Sequence, residues 1–309
     1  MGPGRSLAGI RIHATATESG YGNGGAGDGV EDRKSAEATT NAVEQHDVSR
    51  RRAGKAASRL GTALFAVAVL ATFSAVAATE NREALWGVVQ VCRINYEITG
   101  AAFPCLAANV ADGVQRGYVI LRPPLGNPDL ILSPTRKISG VEELALAADD
   151  APNYFEMAWN ARSVLARDGR PPVAREDVAL AVNSRVSRTQ DQLHIHIGCL
   201  SNDVKQTIAA VAPELSPGRW RHLSQRIKGR LFWARTIGQG SLAGVNPFRL
   251  VAERFPDAAG DQGAVTIVVA AAQSPVGGDD FVLLAGIGGS SHRSAAFASG
   301  SDLLRASCF

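Results

Sequence analysis

The sequence has almost no surplus of charge of either sign. Its 32 Lys and Arg residues stand against 29 Asp and Glu residues, which leaves a net charge of +3. Proteins that hold nucleic acid through many phosphate contacts carry a far larger positive surplus. The composition therefore excludes a polycationic nucleic-acid binder, and we expect no nucleic-acid partner.

Aromatic side chains are nearly absent from the first 58 positions, where Tyr21 is the only one. This stretch is polar and rich in Gly, so it has too little apolar surface to offset the entropy lost on ordering. We therefore expect residues 1–58 to be a disordered N-terminal extension. The rest of the chain is long enough to form a sizeable core.

The chain has one long uncharged run, LGTALFAVAVLATFSAVAA, which covers the 19 residues 60–78. As a helix, this run would span the ~30 Å hydrocarbon layer of a membrane. Positive charge before such a run keeps that end in the cytoplasm, and here the preceding positive residues are Arg50, Arg51, Arg52, Lys55 and Arg59. We predict a membrane segment at 59–79 that sends residues 80–309 out of the cytoplasm.

Two kinds of membrane segment fit this run. Ala75-Val76-Ala77 matches the A-x-A cleavage pattern of an export signal, whereas the length of the run suits an uncleaved anchor. The flanking charges argue against a buried core helix. The sequence leaves a cleaved signal and a retained anchor as open alternatives.

The sequence also lacks any C-x-x-C spacing, which argues against a thiolate zinc site. Its four cysteines all follow the apolar run, and an even number in an exported domain favours disulfide bonds. We predict a local Cys92–Cys105 bond and a Cys199–Cys308 bond that ties down the C-terminus. The competing interpretation makes Cys199 a small buried apolar residue and Cys308 a free terminal thiol.

The hydrophobic pattern predicts a mixture of helices and strands without internal repeats. Helices are expected over 81–98, 152–166 and 203–211, with a closing helix in the last 15 or so residues. Strands are expected over 117–122, 130–133, 178–183, 193–200, 265–271 and 281–285. Such a pattern is typical of an α+β domain with a mostly antiparallel sheet and flanking helices.

The densest functional signal is the segment Gln192-Leu193-His194-Ile195-His196-Ile197. Side chains of a strand alternate between faces, so Gln192, His194 and His196 share one face and the apolar residues face the core. A donor-rich loop with two arginines precedes this strand, at 183–190, and favours a phosphate site.

Two alternatives compete with a phosphate site. The histidines also fit an ordinary solvent-exposed strand face. They also fit a zinc site, whose third ligand would be one of the acidic residues Glu142, Glu156 and Asp191.

The motif resembles that of the histidine-triad superfamily of nucleotide hydrolases and transferases, with Gln192 in place of one terminal His. Thr189, three residues before Gln192, and Asn183 upstream match the Ser or Thr and the Asn of that motif. Residues 130–138 also resemble the family's apolar strand, with Lys137 where the family has His.

Within that superfamily, the order of several segments across residues 80–309 resembles the bacterial CDP-diacylglycerol pyrophosphatases. The segments are Ala84-Leu85-Trp86, Ile138-Ser139-Gly140-Val141-Glu142, Pro152-Asn153-Tyr154-Phe155 with Ala158-Trp159, Asn183-Ser184, and the stretch from Gln190 through His194 and His196 to Ser201.

The resemblance implies a catalytic domain at 80–309 that hydrolyses CDP-diacylglycerol to CMP and phosphatidate without a metal or other cofactor. His194 would be the nucleophile and His196 a phosphate contact. The implied substrate-binding residues are Lys137, Asn183, Ser184, Arg188, Thr189, Gln190 and Gln192. The implied location is the bacterial inner membrane, with a single span and the catalytic domain on the periplasmic side.

Two other functions remain open from the sequence. One is an exported enzyme of the same superfamily that acts on another nucleotide diphosphate. The other is a membrane-anchored binding protein without catalytic activity.

The charge cluster before the apolar run generates a topology prediction. We expect a reporter fused after Phe309 to lie across the membrane from the cluster at 50–59, and protease added to spheroplasts to digest residues 80–309. Protection of that domain would overturn the orientation. N-terminal sequencing of the mature protein separates the two kinds of segment, since a start at Ala78 would refute the anchor.

Overall fold

A computed structural model describes residues 81–123, 130–166, 171–255, 263–274, 276–287 and 299–308. The predicted extension at 1–58 and the predicted membrane segment at 59–79 lie outside these ranges. Within these ranges, no helix is long and apolar enough to cross a membrane.

The sheet is antiparallel throughout its described pairings. Its strands are β1 (Ala107–Asn109), β2 (Tyr118–Leu121), β3 (Leu130–Pro134), β4 (Val178–Val182), β5 (Ile195–Cys199), β6 (Arg221–His222), β7 (Trp233–Thr236), β8 (Val265–Gln273) and β9 (Asp279–Ile287). They lie side by side in the order β1-β2-β3-β5-β4-β8-β9-β7-β6. The predicted hairpins β2–β3 and β8–β9 are confirmed, as is the α+β class.

The helices cover both faces of this sheet. They are α1 (Ala84–Thr99), α2 (Tyr154–Ala161), α3 (Asn202–Val211) and α4 (Pro247–Arg254). On one face, α2 and α4 pack with the apolar side chains of β4, β5, β8 and β9. On the other face, α1 packs against β2 and β3, and α3 packs against β4, β8 and β9. Burial on both faces explains why the central strands are nearly continuous apolar runs.

Most predicted elements are confirmed with shifted ends, but the closing helix is wrong. Among residues 299–308 the chain forms only the 3₁₀ turn Gly300–Leu303. The segment then leaves helical geometry because Leu304 bridges to Leu200 and Cys308 is bonded to Cys199. The predicted helix over 152–166 is also divided, into α2 and the 3₁₀ turn Arg162–Leu165.

Both predicted disulfide bonds are present. Cys92–Cys105 joins α1 to the segment before β1, and Cys199–Cys308 joins the end of β5 to the C-terminal segment. The competing interpretation, with Cys199 unbonded, is therefore wrong. The second bond holds the C-terminal segment beside the strand that carries the histidine motif.

The two bonds are expected to stabilise the fold unequally. In the chain-entropy model the stabilisation grows with the length of the closed loop, and the sequence separations are 109 and 13 residues. We expect Cys199→Ser/Cys308→Ser to lower the free energy of unfolding by about 5 kcal/mol and Cys92→Ser/Cys105→Ser by about 3 kcal/mol. Urea unfolding followed by Trp fluorescence measures both losses. Equal losses, or free thiols in the denatured unreduced protein, would contradict this assignment.

Candidate active site

Of the two histidines of the motif, His196 lies in the central strand β5 and His194 directly precedes its first residue. His196 stands opposite Ile131 of β3 and Ala181 of β4, while Ile195 and Ile197 face the core on the other side. The predicted alternation of faces is therefore confirmed. Only 7% of His194 and 8% of His196 is exposed, so the alternative of a solvated strand face is wrong.

The hydrogen bond of His194 fixes its tautomer. Its Nδ1 lies 2.7 Å from the backbone carbonyl oxygen of Gln192. A carbonyl oxygen only accepts, so Nδ1 of the neutral ring carries the proton and donates it. The lone pair of the neutral imidazole is then on Nε2, which is the nitrogen available for attack on an electrophile.

Burial keeps both imidazoles uncharged. It lowers the pKa of His194, an effect that the Gln192 carbonyl opposes and the nearby Arg188 charge reinforces. It also lowers the pKa of His196 to about 3, with a smaller contribution from His194, whose ring centroid lies 5.1 Å away. Both rings are therefore neutral near pH 7, the state in which an imidazole is nucleophilic.

His196 has unused hydrogen-bonding capacity. Neither of its ring nitrogens has a hydrogen-bond partner within the described part of the chain. Buried polar groups are nearly always paired, because burying one without a partner is unfavourable. An unpaired buried imidazole beside His194 is suited to contact a polar ligand such as a phosphate oxygen.

Gln192, predicted to bind substrate, is fully buried and bonded to the backbone. Its amide nitrogen donates to the carbonyl oxygens of Pro134 and Arg136, at 3.0 and 3.1 Å. Its amide oxygen accepts from the backbone N–H of Ile138. These contacts hold the segment before β5 against the end of β3. They therefore position the Gln192 carbonyl, which orients the His194 ring.

Arg188, also predicted to bind substrate, is buried and lies in a network of ion pairs whose other members are partly exposed. Its guanidinium forms a two-pronged pair with Glu142, at 2.7 and 2.6 Å, and also bonds Asp191. Asp191 in turn bonds Arg82 at 2.6 and 2.8 Å, and this contact is the main cause that lowers the pKa of Asp191. A Cβ atom at Gly140 would collide with the Arg188 guanidinium, so the close approach requires glycine.

The start of α1 is attached to the same loop. Gln190 accepts a hydrogen bond from the backbone N–H of Leu85 at 2.7 Å, and therefore caps one of the free donors in the first turn of α1. Lys137 forms an ion pair with Glu83 and lies 5.6 Å from the centre of the Trp86 ring.

The remaining predicted residues differ in their surroundings. Asn183 accepts hydrogen bonds from Ser299 and from the backbone of Ser301, whereas the Ser184 hydroxyl bonds Ser187 at 2.9 Å. Thr189 is exposed. Gln192 and Arg188 thus lie near His194, whereas Asn183 contacts the C-terminal segment and Ser184 contacts its own loop.

Several residues that bond the predicted site residues were not predicted from the sequence. Arg82, Ser299 and Ser301 lie more than 100 residues along the chain from the residues they bond, and no local pattern marks them. Ser133, which donates to the carbonyl of Leu193, belongs to an apolar strand and carries no signal of its own.

The acidic residues considered as zinc ligands have other partners. Glu142 and Asp191 pair with arginines, and Glu156 bonds Asn153 at the start of α2. Among the residues that the structure describes, no group of three His, Cys, Asp or Glu side chains is arranged to hold a metal ion.

These features define a disulfide-bonded α+β protein with two neutral imidazoles, one in its central strand and one directly before it. This is the kind of site in which histidine acts as a nucleophile. The sequence model of the family described as CDP-diacylglycerol pyrophosphatase matches residues 80–309. A protein named CDP-diacylglycerol pyrophosphatase from Yersinia pestis is 35% identical over 206 residues, which are 66% of this chain and 76% of that relative. The chain belongs to the CDP-diacylglycerol pyrophosphatase family, a family of hydrolases, as the resemblance implied.

The buried neutral state of His196 makes the stability depend on pH. Its pKa is about 3 in the folded chain against an ordinary value of 6.5, so the unfolded chain takes up the proton first on acidification. This group leaves the free energy of unfolding unchanged above pH 6.5. Between pH 6.5 and pH 3 the free energy of unfolding falls by about 1.4 kcal/mol per pH unit. We expect urea unfolding to show a steeper loss below pH 6.5 for the wild type than for His196→Gln. Parallel pH dependences would contradict the burial of a neutral ring.

Proposed function

We propose that this chain hydrolyses the diphosphate bond of CDP-diacylglycerol to CMP and phosphatidate. Membership of the family supports the substrate and the reaction type. The observation that carries the mechanism is the Nδ1 contact of His194 with the Gln192 carbonyl, because it leaves the Nε2 lone pair free. On this basis, His194 is the nucleophile of a histidine-triad-like site.

The proposed reaction has two displacements at one phosphorus atom. Nε2 of His194 forms a bond to the phosphorus that bears cytidine, and the bond from that phosphorus to the bridging oxygen breaks. Phosphatidate leaves with the bridging oxygen and the electron pair of the broken bond. Water then attacks the same phosphorus and releases a proton to solvent, the electron pair of the N–P bond returns to Nε2 of His194, and CMP is released. Atoms and charges balance without a metal or other cofactor.

The proposal assigns a different function to His196. Its ring nitrogens lack partners in the described part of the chain, and it lies beside His194 in a site of low polarity. A neutral imidazole there donates one N–H to a phosphate oxygen and stabilises the charge that develops in the transition state.

The structure divides the proposed substrate-binding residues into two groups. Thr189 is exposed, and Lys137 is partly exposed in an ion pair with Glu83 at the surface, so we assign these two to direct contact with the diphosphate. Arg188, Gln190, Gln192, Asn183 and Ser184 bond other parts of the protein, and we assign them to holding the loop at 183–192 around the substrate.

A lipid substrate with two acyl chains remains in the bilayer, so the enzyme must meet it at the membrane surface. We therefore retain the proposed membrane segment at 59–79 and the placement of 80–309 on the periplasmic side of the inner membrane. The protease experiment on spheroplasts tests this part separately from the chemistry.

The matched variants His194→Asn and His194→Ala test the nucleophile. Asn retains an N–H near the position of Nδ1 and can still donate to the Gln192 carbonyl, but it has no nucleophilic nitrogen at the position of Nε2. We expect both variants to remain folded and to lose turnover, and His196→Ala to lose about 10²–10³-fold. The assay measures CMP release from CDP-diacylglycerol and from soluble CDP-alcohols.

The outcomes of this assay separate the competing functions. Near-wild-type turnover of His194→Asn would remove His194 as the nucleophile. Cleavage of soluble CDP-alcohols but not of the lipid would favour another diphosphate substrate, and binding without turnover would favour a non-catalytic protein. Loss of activity on chelation that zinc restores would favour the metal alternative. A CMP adduct on the His194 peptide, trapped during turnover, would support the covalent step.

A further inference from the structure

A long stretch of the chain has no negative charge. No Asp or Glu occurs between Glu214 and Glu253. Residues 219–231, which we name the basic hairpin, carry the cations Arg219, Arg221, Arg226, Lys228 and Arg230. All of these are exposed except Arg230, which is half-buried.

The basic hairpin is a well-defined projection from the β6–β7 edge of the sheet. Leu223 N–H donates to the Phe232 carbonyl at 2.9 Å, and Ile227 N–H donates to the Arg230 carbonyl at 2.8 Å. Its tip is a tight turn in which Lys228 has a φ of 49°. Leu223, Ile227 and Phe232 are buried in the core, so their packing fixes the direction in which the cations project.

The acidic groups that face the hairpin do not neutralise it. Glu214 pairs with Arg221 at 2.6 Å, and Asp203 pairs with Lys228 at 2.7 Å. Five cations against these two carboxylates leave a surplus of three positive charges. Both carboxylates are more than half exposed, so water and salt weaken the two pairs.

The register of the sheet places the hairpin at the same end as the candidate active site. One row of paired residues runs from Trp233 through Ala285, Ile267 and Val182. The register of β4 and β5 continues that row to Ile195, next to His194. The hairpin and the loop at 183–194 both extend beyond this row, roughly 20 Å apart across four strand spacings.

We propose that the basic hairpin docks on the surface of an anionic phospholipid bilayer. Lys and Arg near such a surface are attracted to its phosphates, and Trp side chains favour the same boundary. Leu231 is exposed, and Trp220 and Trp233 are half-buried and pack against Phe255, which leaves only part of each ring open to a bilayer. The two disulfide bonds favour an oxidising compartment, where nucleic acids are not the available polyanion.

Protection of a sheet edge does not account for this surface. A short edge with one or two charges already blocks unwanted strand pairing. Here β6 has only two residues, and the cations Arg226, Lys228 and Arg230 lie beyond its ladder with β7. The inference does not depend on the proposed reaction, because it concerns a surface outside the histidine site.

Hydrogen–deuterium exchange of the full chain in nanodiscs tests the docking. One set of discs contains phosphatidylcholine alone, and the other also contains phosphatidylglycerol. We expect the amides of 222–232 to exchange more slowly only in the anionic discs, and high salt to remove this protection. In Arg226→Gln/Lys228→Gln/Arg230→Gln, protection should fall about 100-fold, since each cation contributes about fivefold.

The control variant Arg93→Gln/Arg116→Gln/Arg249→Gln removes the same charge from other elements and should retain the protection. Unchanged exchange of β8 amides verifies that each variant is folded. The milder variant Arg219→Gln/Arg226→Gln leaves the turn at Lys228 intact. Equal protection in both kinds of disc, or full protection in the hairpin variants, would overturn the proposal. Stronger protection by an oligonucleotide than by anionic discs would overturn it in favour of a nucleic-acid surface. Turnover of soluble substrates reports on the histidine site separately.

Discussion

The candidate active site depends on the burial of β5 between β3 and β4. In that position the histidine face of β5 lies against apolar neighbours such as Ile131 and Ala181, and water is largely excluded. Low polarity disfavours the charged form of an imidazole, so both rings remain neutral. The same exclusion of water strengthens any hydrogen bond that the rings make with a ligand. The burial of β5 thus sets both the neutral state of the two imidazoles and the strength of their hydrogen bonds with a ligand.

The segment that leads into β5 is held in place by several side-chain contacts. Gln192 joins this segment to the end of β3, and Arg188 joins it to Glu142 through a two-pronged ion pair. Breaking one member of such a buried pair leaves an uncompensated charge, so these contacts resist rearrangement of the loop. Gln190 extends the arrangement to α1 by capping its first turn. The loop before β5 therefore connects His194 to α1.

Much of this arrangement is visible in local patterns. Alternation in Leu193-His194-Ile195-His196 places the histidines on one face, because a strand has a period of two residues whatever surrounds it. The hairpins β2–β3 and β8–β9 follow from apolar runs separated by Gly- and Pro-containing turns. The roles of Arg188 and Gln192 are not visible in this way. A cation or an amide has the same local signal whether it faces a ligand or a partner elsewhere in the protein.

The sequence by itself determined the α+β class, the histidine face, the expectation of disulfide bonds and the family resemblance, whereas the structure decided how the cysteines pair. The fold class and the histidine face depend on short-range periodicity. The expectation of disulfide bonds depends on the even number of cysteines, and the resemblance depends on the order of the motifs. Only the tertiary structure decided that the histidines are buried, that His194 donates through Nδ1, and that the chain after Gly300–Leu303 pairs with Leu200 and Cys199. The strand neighbours that bury His196, such as Ile131, are distant in sequence, and Arg82 and Ser301 lie more than 100 positions from the loop residues they bond, so these contacts exist only once the chain has folded.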